Sequence, residues 1–214
     1  MSSIIVVDFG MGNLRSVAKA FEHVAPKATV RITGDVSVIR SADRVVLPGQ
    51  GAIGGYVKAL HDTDIEPAVL EAARSKPFLG ICLGQQVLYE SSDEHGEDGD
   101  SVQTLGLFKG QVKHFTHVSS DPQAMIDPHT GHQYTIPHMG WNQVKQTVNH
   151  PMWDGIDDLS RFYFVHSYCV QSELDEDVAG TTEYGVEFTS ATARDNIFAI
   201  QFHPEKSQHD GLRL

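Results

Sequence analysis

The sequence is poor in cysteine, in basic residues and in long apolar runs, and each shortage removes a class of protein. Two cysteines, Cys82 and Cys169, in 214 residues are too few for a disulfide framework, so a reducing cytoplasm is the expected setting. Lysine and arginine number 16 against 28 aspartates and glutamates, a formal net charge of −12. A chain that grips nucleic acid or an anionic membrane needs the opposite excess to neutralise phosphates, so neither partner is expected. No apolar run approaches the ~20 residues of a membrane span. The first residues, Met1-Ser2-Ser3-Ile4-Ile5-Val6-Val7, lack the basic stretch of a secretory signal and run straight into a strand pattern. Internal repeats, low-complexity tracts and an obvious linker are missing as well. With 40% hydrophobic and 21% charged residues, the composition predicts one α/β unit over 1–214 with a sizeable core.

What the chain does have is alternation. Ile4 to Val7 reads as a strand, followed by the glycine-bearing loop Asp8-Phe9-Gly10-Met11-Gly12-Asn13. Leu14, Val17, Ala18, Phe21 and Val24 then recur at helical spacing, and Pro26 ends the pattern. Val30 to Thr33 predicts a second strand, Val45 to Leu47 a third stopped by Pro48, and Glu66 to Ser75 a helix. Strand and helix in turn predict a doubly wound, mostly parallel sheet, which binds ligands at the carboxyl ends of its strands. From Gly110 the runs shorten. Gln111–Phe115, Arg161–Val165, Gly185–Thr189 and Asn196–Phe202 predict antiparallel strands beside the parallel ones, with a polar loop over Val118–Pro137. The acidic tract containing Glu90, Asp93, Glu94, Glu97, Asp98 and Asp100 lacks the spacing of metal ligands and reads as a solvated loop; no metal is expected.

The stretch that carries chemistry is Phe78-Leu79-Gly80-Ile81-Cys82-Leu83-Gly84. An apolar run ends at Cys82, and Leu83, Val87 and Leu88 continue at helical spacing. Glycines on both sides permit a sharp strand-to-helix turn that lifts the thiol, as in a nucleophile elbow, over a helix N-terminus that favours thiolate. The alternative is an inert, buried cysteine. A base is needed, and the strand Asn196–Phe202 delivers His203-Pro204-Glu205. Pro204 keeps His203 extended, so Glu205 projects to the same side and is placed to fix the imidazole tautomer; a surface histidine and acid is the plainer reading. Gly49-Gln50-Gly51-Ala52-Ile53-Gly54 matches the G-x-G-x-x-G dinucleotide pattern, but follows a later strand and Pro48, the wrong context. A loop offering backbone N–H groups to an oxyanion, or a plain turn, fits better.

With these motifs in hand, the chain resembles the class I (triad) glutamine amidotransferase family. Gly80-Ile81-Cys82-Leu83-Gly84-Gln85-Gln86 and His203-Pro204-Glu205 carry that likeness. Asp8–Val17, Leu47–Gly51, His138-Met139-Gly140-Trp141-Asn142, Phe164–Tyr168 and Phe202–Gln208 are similar to the branch of glutaminase subunits that serve imidazole glycerol phosphate synthesis. The resemblance implies a flavodoxin-like fold and no cofactor. It implies that Cys82 attacks the glutamine carboxamide, His203 shuttles protons and Glu205 orients His203. The backbone of Leu83 and the loop Gly49, Gln50 and Gly51 would form the oxyanion hole. Gly80, Gln86 and the backbone at Ser167 and Tyr168 would hold the substrate. The partner implied is a (β/α)8-barrel cyclase subunit that receives the ammonia and makes imidazole glycerol phosphate and AICAR, met through Asn13, Arg15, Trp141 and Asn142. Gln50, Gln85 and Cys169 depart from the pattern, and Gly211-Leu212-Arg213-Leu214 ends the chain earlier than the resemblance leads one to expect.

Overall fold

The structure, a computed structural model, describes residues 2–95, 100–121, 123–128 and 130–214. Four strands open the chain: β1 (Ser3–Val7), β2 (Thr29–Thr33), β3 (Arg44–Gly49) and β4 (Phe78–Cys82). They alternate with helices α1 (Leu14–Val24), α2 (Val36–Ser41), α3 (Ile53–Asp62) and α4 (Glu66–Ser75). All four strands pair in parallel, in the order β2-β1-β3-β4. The apolar runs of β1, β3 and β4 follow from burial on both faces, whereas β2, at the edge, is largely exposed. Ile5 and Val7 pack on one side with α3 and α4; Ile4 and Val6 pack on the other with α1.

α5 (Leu83–Gln86), β5 (Ser91–His95), β6 (Ser101–Gln103), β7 (Gly110–His114), α6 (Phe115–Val118), β8 (His138–Gln143) and β9 (Lys145–Gln146) follow. The chain then adds β10 (Arg161–His166), β11 (Tyr168–Ser172), β12 (Val178–Tyr184), β13 (Val186–Arg194), β14 (Ile197–Ile200) and α7 (Gln208–Arg213). The large sheet runs β2-β1-β3-β4-β14-β13-β11-β7-β5-β6, with β12 and β9 branching from β13. Among the described residues, no helix is long and apolar enough to cross a membrane.

Four expectations need correction. Asn196–Phe202 is not simply an added antiparallel strand: β14 pairs parallel with β4 and antiparallel with β13, so it is the seam between the two halves. Arg161–Val165 does not join the large sheet at all, because β10 pairs with β8 in a separate two-stranded ribbon. Pro48 does not stop β3, which runs to Gly49. Pairing with β1 ends at Val46, so Pro48 has a neighbour on one side only, where a missing N–H is tolerated. The acidic tract is not a solvated loop in its first half. Asp93 and Glu94 lie in β5; Asp93 accepts from the His114 backbone N–H at 2.8 Å, and Glu90 pairs with Lys109 at 2.9 Å. Glu97 and Asp98 lie outside the described residues. Helix α2, unread in the sequence, is capped by Asp35, whose side chain accepts from Ser37 and Val38 backbone N–H groups.

Candidate active site

β3, β4 and β14 end side by side, and their carboxyl ends carry Gly49, Cys82 and, three residues beyond β14, His203. Gly49 stands directly opposite Cys82 in the ladder. Cys82 itself has φ 56° and ψ −110°, a left-handed conformation that a non-glycine residue keeps only when its surroundings hold it. The bracketing glycines serve close approach rather than the turn itself. A Cβ at Gly84 would lie 1.8 Å from the Leu47 carbonyl oxygen, and one at Gly80 would lie 2.5 Å from that of Gly84. The helix after Cys82 is shorter than its apolar spacing predicts. α5 stops at Gln86, where Leu88 and Tyr89 N–H groups donate three residues back to Gln85 and Gln86. Residues 105–108 bar any continuation: Leu105 N–H donates to Val87, and Leu107 and Phe108 N–H groups donate to Leu88.

The structure brings His203 and Glu205 together at this elbow. His203 is extended at φ −103° and ψ 97°, and its Nδ1 lies 2.9 Å from Glu205 Oε1. The reason differs from simple alternation, since residues 204–206 form a 3-10 turn that swings the carboxylate back. Both side chains are buried, at 8% and 2% exposure. Ser207, overlooked in the sequence, clamps the segment: its Oγ donates to the His203 carbonyl at 2.6 Å and accepts from Tyr163 N–H at 2.9 Å. The other ring nitrogen, Nε2, is buried without a hydrogen bond of regular geometry and is the one left for the Cys82 sulfur. Burial works against the charged imidazole, but the Cys82 sulfur and the Glu205 carboxylate outweigh it and push His203 up to about 9.

A cavity of about 400 Å³ opens over Cys82, Leu83, Gln86 and His203, with Gln50 and Gly51 on one wall and Ser167 and Tyr168 on another. Gly51 has φ +104°, in keeping with a loop that turns its backbone sharply. Gly80, by contrast, is buried in β4 and does not line this cavity. The Tyr168 carbonyl, expected to face a ligand, is already engaged: it accepts from Gln86 Nε2 at 3.0 Å and from His166 Nδ1 at 2.8 Å. Glu94 also lines the cavity, a position that no local pattern marks. Its Oε2 accepts from the Ile53 N–H at the start of α3, at 2.9 Å, and burial raises its pKa against that bond.

His166, which lines the cavity, forms a buried pair with His138 behind it, with Nε2 and Nδ1 3.0 Å apart. Burial drives His138 down to about 4; burial and the neighbouring His138 drive His166 down to about 3, so both are neutral at physiological pH. Asn142 completes this chain rather than facing outward: its Nδ2 donates to the Glu183 carbonyl at 2.9 Å and lies 3.3 Å from His138 Nε2. Trp141, on the opposite face of β8, is 42% exposed beside Tyr163. Lys206, at the cavity rim, lies over the same tyrosine ring. Asn13 and Arg15 are exposed at the start of α1, and Gly12 and Met11 in that loop pack on Gly49 and Gly51. Gln85 is fully buried and donates to Thr192 Oγ1 at 2.9 Å. Cys169 is buried, its thiol pushed up to about 12 by burial, and neither cysteine is in a disulfide. Among the described residues, no three His, Cys, Asp or Glu side chains gather as metal ligands.

This arrangement can attack a carbonyl carbon with sulfur, protonate a leaving group from the imidazole, and seat a small polar substrate. Comparisons with known proteins agree. A family model described as "Glutamine amidotransferase class-I" matches residues 5–211. The chain is 55% identical over 214 residues to "Imidazole glycerol phosphate synthase subunit HisH" of Nitrosomonas europaea, covering 100% of this chain and 96% of the relative. It is 53% identical over 211 residues to the protein of that name from Thiobacillus denitrificans, covering 99% and 88%. Among solved structures, a glutamine amidotransferase aligns with a TM-score of 0.67 at 14% identity, over 98% of this chain and 93% of that one. "Structure of PurLQS from Thermotoga maritima" aligns at 0.66 and 18% identity, over 99% and 94%; at such identities these two speak for the fold alone. With the elbow, the strand order and the full-length matches in accord, the chain belongs to the class I glutamine amidotransferase family.

Proposed function

We propose that the chain is the glutaminase subunit of an imidazole glycerol phosphate synthase, hydrolysing glutamine to glutamate and ammonia and passing the ammonia to a cyclase subunit in histidine biosynthesis. The observation that carries this reading is one cavity lined by Cys82 and His203, with Glu205 hydrogen-bonded to His203 behind it, in a chain 50–55% identical to five HisH proteins.

In this reading Cys82 Sγ adds to the glutamine carboxamide, and its negative charge passes to the carbonyl oxygen. The Leu83 N–H and the loop Gly49–Gly51 stand beside that oxygen as an oxyanion hole. His203, holding its proton to about pH 9, acts first as the acid: it protonates the departing nitrogen, and ammonia leaves with a γ-glutamyl thioester on Cys82. The neutral imidazole then takes a proton from water, whose hydroxide cleaves the thioester and regenerates the pair. Glu205 keeps the ring oriented throughout. Glu94 suits the substrate's α-ammonium, and Gln86 offers the carbonyl end of an amide whose Nε2 is spent on Tyr168 and Gln201.

Ammonia released into water near neutral pH becomes ammonium, which is no nucleophile, so delivery into a docked (β/α)8-barrel partner follows chemically. The partner-facing side comprises Asn13, Arg15, Trp141 and the rim of the cavity. Asn142, engaged internally, supports β8 from behind. The whole of 1–214 acts as one unit in the cytoplasm. The deciding measurement is glutamate release by the chain alone, with the cyclase subunit, and with that subunit plus its phosphorylated ligand. A strong rise in the last condition, abolished by Cys82→Ala without loss of the complex, is expected. Hydrolysis retained by Cys82→Ala would overturn the assignment of the nucleophile, and equal rates in all three conditions would overturn the gated partnership.

A further inference from the structure

Gln201 follows β14 and is fully buried, held by its backbone N–H donating to the Ser190 carbonyl at 2.9 Å. It is two residues before His203, yet it does not line the cavity. Its side-chain Nε2 lies 3.6 Å from Cys82 Sγ, a normal separation for N–H donating to sulfur. We propose that Gln201 is a further catalytic residue: its amide N–H donates to the Cys82 thiolate from behind the cavity and stabilises the sulfur's negative charge.

The orientation of that amide is dictated by its neighbours. Gln201 Oε1 lies 2.8 Å from Gln86 Nε2, so it must accept there and leave its own nitrogen to the sulfur. Gln86 cannot be reversed, because the same Nε2 donates at 3.0 Å to the Tyr168 carbonyl, a group that only accepts. That carbonyl is fixed in turn by His166. Flipping Gln86 would set its oxygen against the Tyr168 carbonyl and Gln201 Oε1, and flipping Gln201 would set nitrogen against nitrogen and oxygen against the sulfur. A fixed dipole aimed at a charge in a dry site stabilises it without reorganisation.

The role differs from that of His203. The imidazolium gives its proton to the leaving nitrogen and regains one from water in every turnover, so its charge comes and goes. Gln201 does not titrate and keeps its donor in place whenever the sulfur is negative, both before attack and when thioester hydrolysis expels the thiolate. Gln201 touches the reacting atom but not the substrate, so its loss falls on the nucleophile rather than on glutamine binding.

This inference rests on Cys82 being the nucleophile, and two separate readouts keep the two claims apart. Alkylation of Cys82 by iodoacetamide is followed from pH 5 to pH 10 in the unmodified chain, in Gln201→Met and in Gln201→Glu, with Cys82→Ala giving the background from Cys169. The methionine matches the length of glutamine and removes the donor; the glutamate still accepts from Gln86 but offers no N–H when ionised. In both variants the alkylation rate at pH 7.5 is expected to fall by about tenfold or more, with the midpoint of the pH profile moving upward by about one unit. Gln201→Glu in the complex with the cyclase subunit is expected to lose kcat with its KM for glutamine within about threefold of the parent's. Profiles that superimpose on the parent's in either folded variant would overturn the proposal, as would loss of cooperative unfolding in both, which would make Gln201 a packing residue. Glutamine hydrolysis surviving in Cys82→Ala would instead strike the nucleophile assignment and leave the alkylation result standing.

Discussion

At the scale of single residues, the decisive quantity is the proton on His203. A free imidazole titrates near 6.5, yet the Cys82 and Glu205 neighbours outweigh burial and raise His203 to about 9. The imidazolium form therefore persists through neutral pH and is lost as the pH rises through 9. Glu205→Gln removes one of the charges that sustain it, so the basic limb of kcat/KM should move to lower pH, towards the ordinary imidazole value near 6.5. Turnover at the optimum should fall by roughly 10²–10⁴, the usual range for misplacing an acid–base group. An unmoved basic limb would show that Glu205 does not govern the titration. The residues Cys82, His203 and Glu205 were legible because local spacing announces them: glycines around a cysteine, and an acid two places after a histidine. Glu94, Ser207 and Gln201 were not, because each acquires its role from a partner 41, 44 or 119 positions away.

At the scale of elements, the elbow is held by contact between backbones. Gly84 packs its Cα against the Leu47 carbonyl so closely that a methyl group would sit 1.8 Å away. Gly84→Ala must push β3 from β4 or unwind α5, and overpacking of this kind removes about 1–3 kcal/mol or more. Thermal unfolding should show a lowered Tm, and the displaced Cys82 should lose glutaminase activity even in the folded fraction. An alanine variant with parental Tm and activity would mean that the elbow relaxes freely. The same closeness explains what the sequence misjudged. Apolar spacing marked Leu83, Val87 and Leu88 as one helix, and nothing local says that residues 105–108 capture the carbonyls of Val87 and Leu88. Likewise, β10 has the alternation of any half-buried strand, and only its long-range pairing with β8 takes it out of the main sheet.

At the scale of the whole molecule, the β8–β10 ribbon packs its His138 and Phe164 against Phe188 of β13 in the large sheet and encloses two histidines that carry no charge. His138 stacks at 4.0 Å on Tyr184 and at 4.8 Å on Phe164, and its ring nitrogens meet His166 and Asn142. Among the described residues no carboxylate contributes to their shifts, so protonating either buries a charge without a counter-charge. The pKa values of about 4 and about 3 lie below the unfolded value near 6.5. Between pH 6.5 and 4 the unfolded chain binds protons that the folded chain refuses, so stability falls as the pH falls. Two such groups together predict a loss of about 4 kcal/mol between pH 7.5 and 5. His203 acts in the opposite sense, its contribution being complete below 6.5 and lost towards 9, and it offsets part of that fall. Urea unfolding across this range isolates the pair through His138→Gln, which retains hydrogen-bonding capacity but cannot titrate. That variant should be less stable than the parent at pH 7.5 and lose less stability on acidification. A parental slope in His138→Gln would mean that the acid sensitivity of the fold resides elsewhere than in this layer.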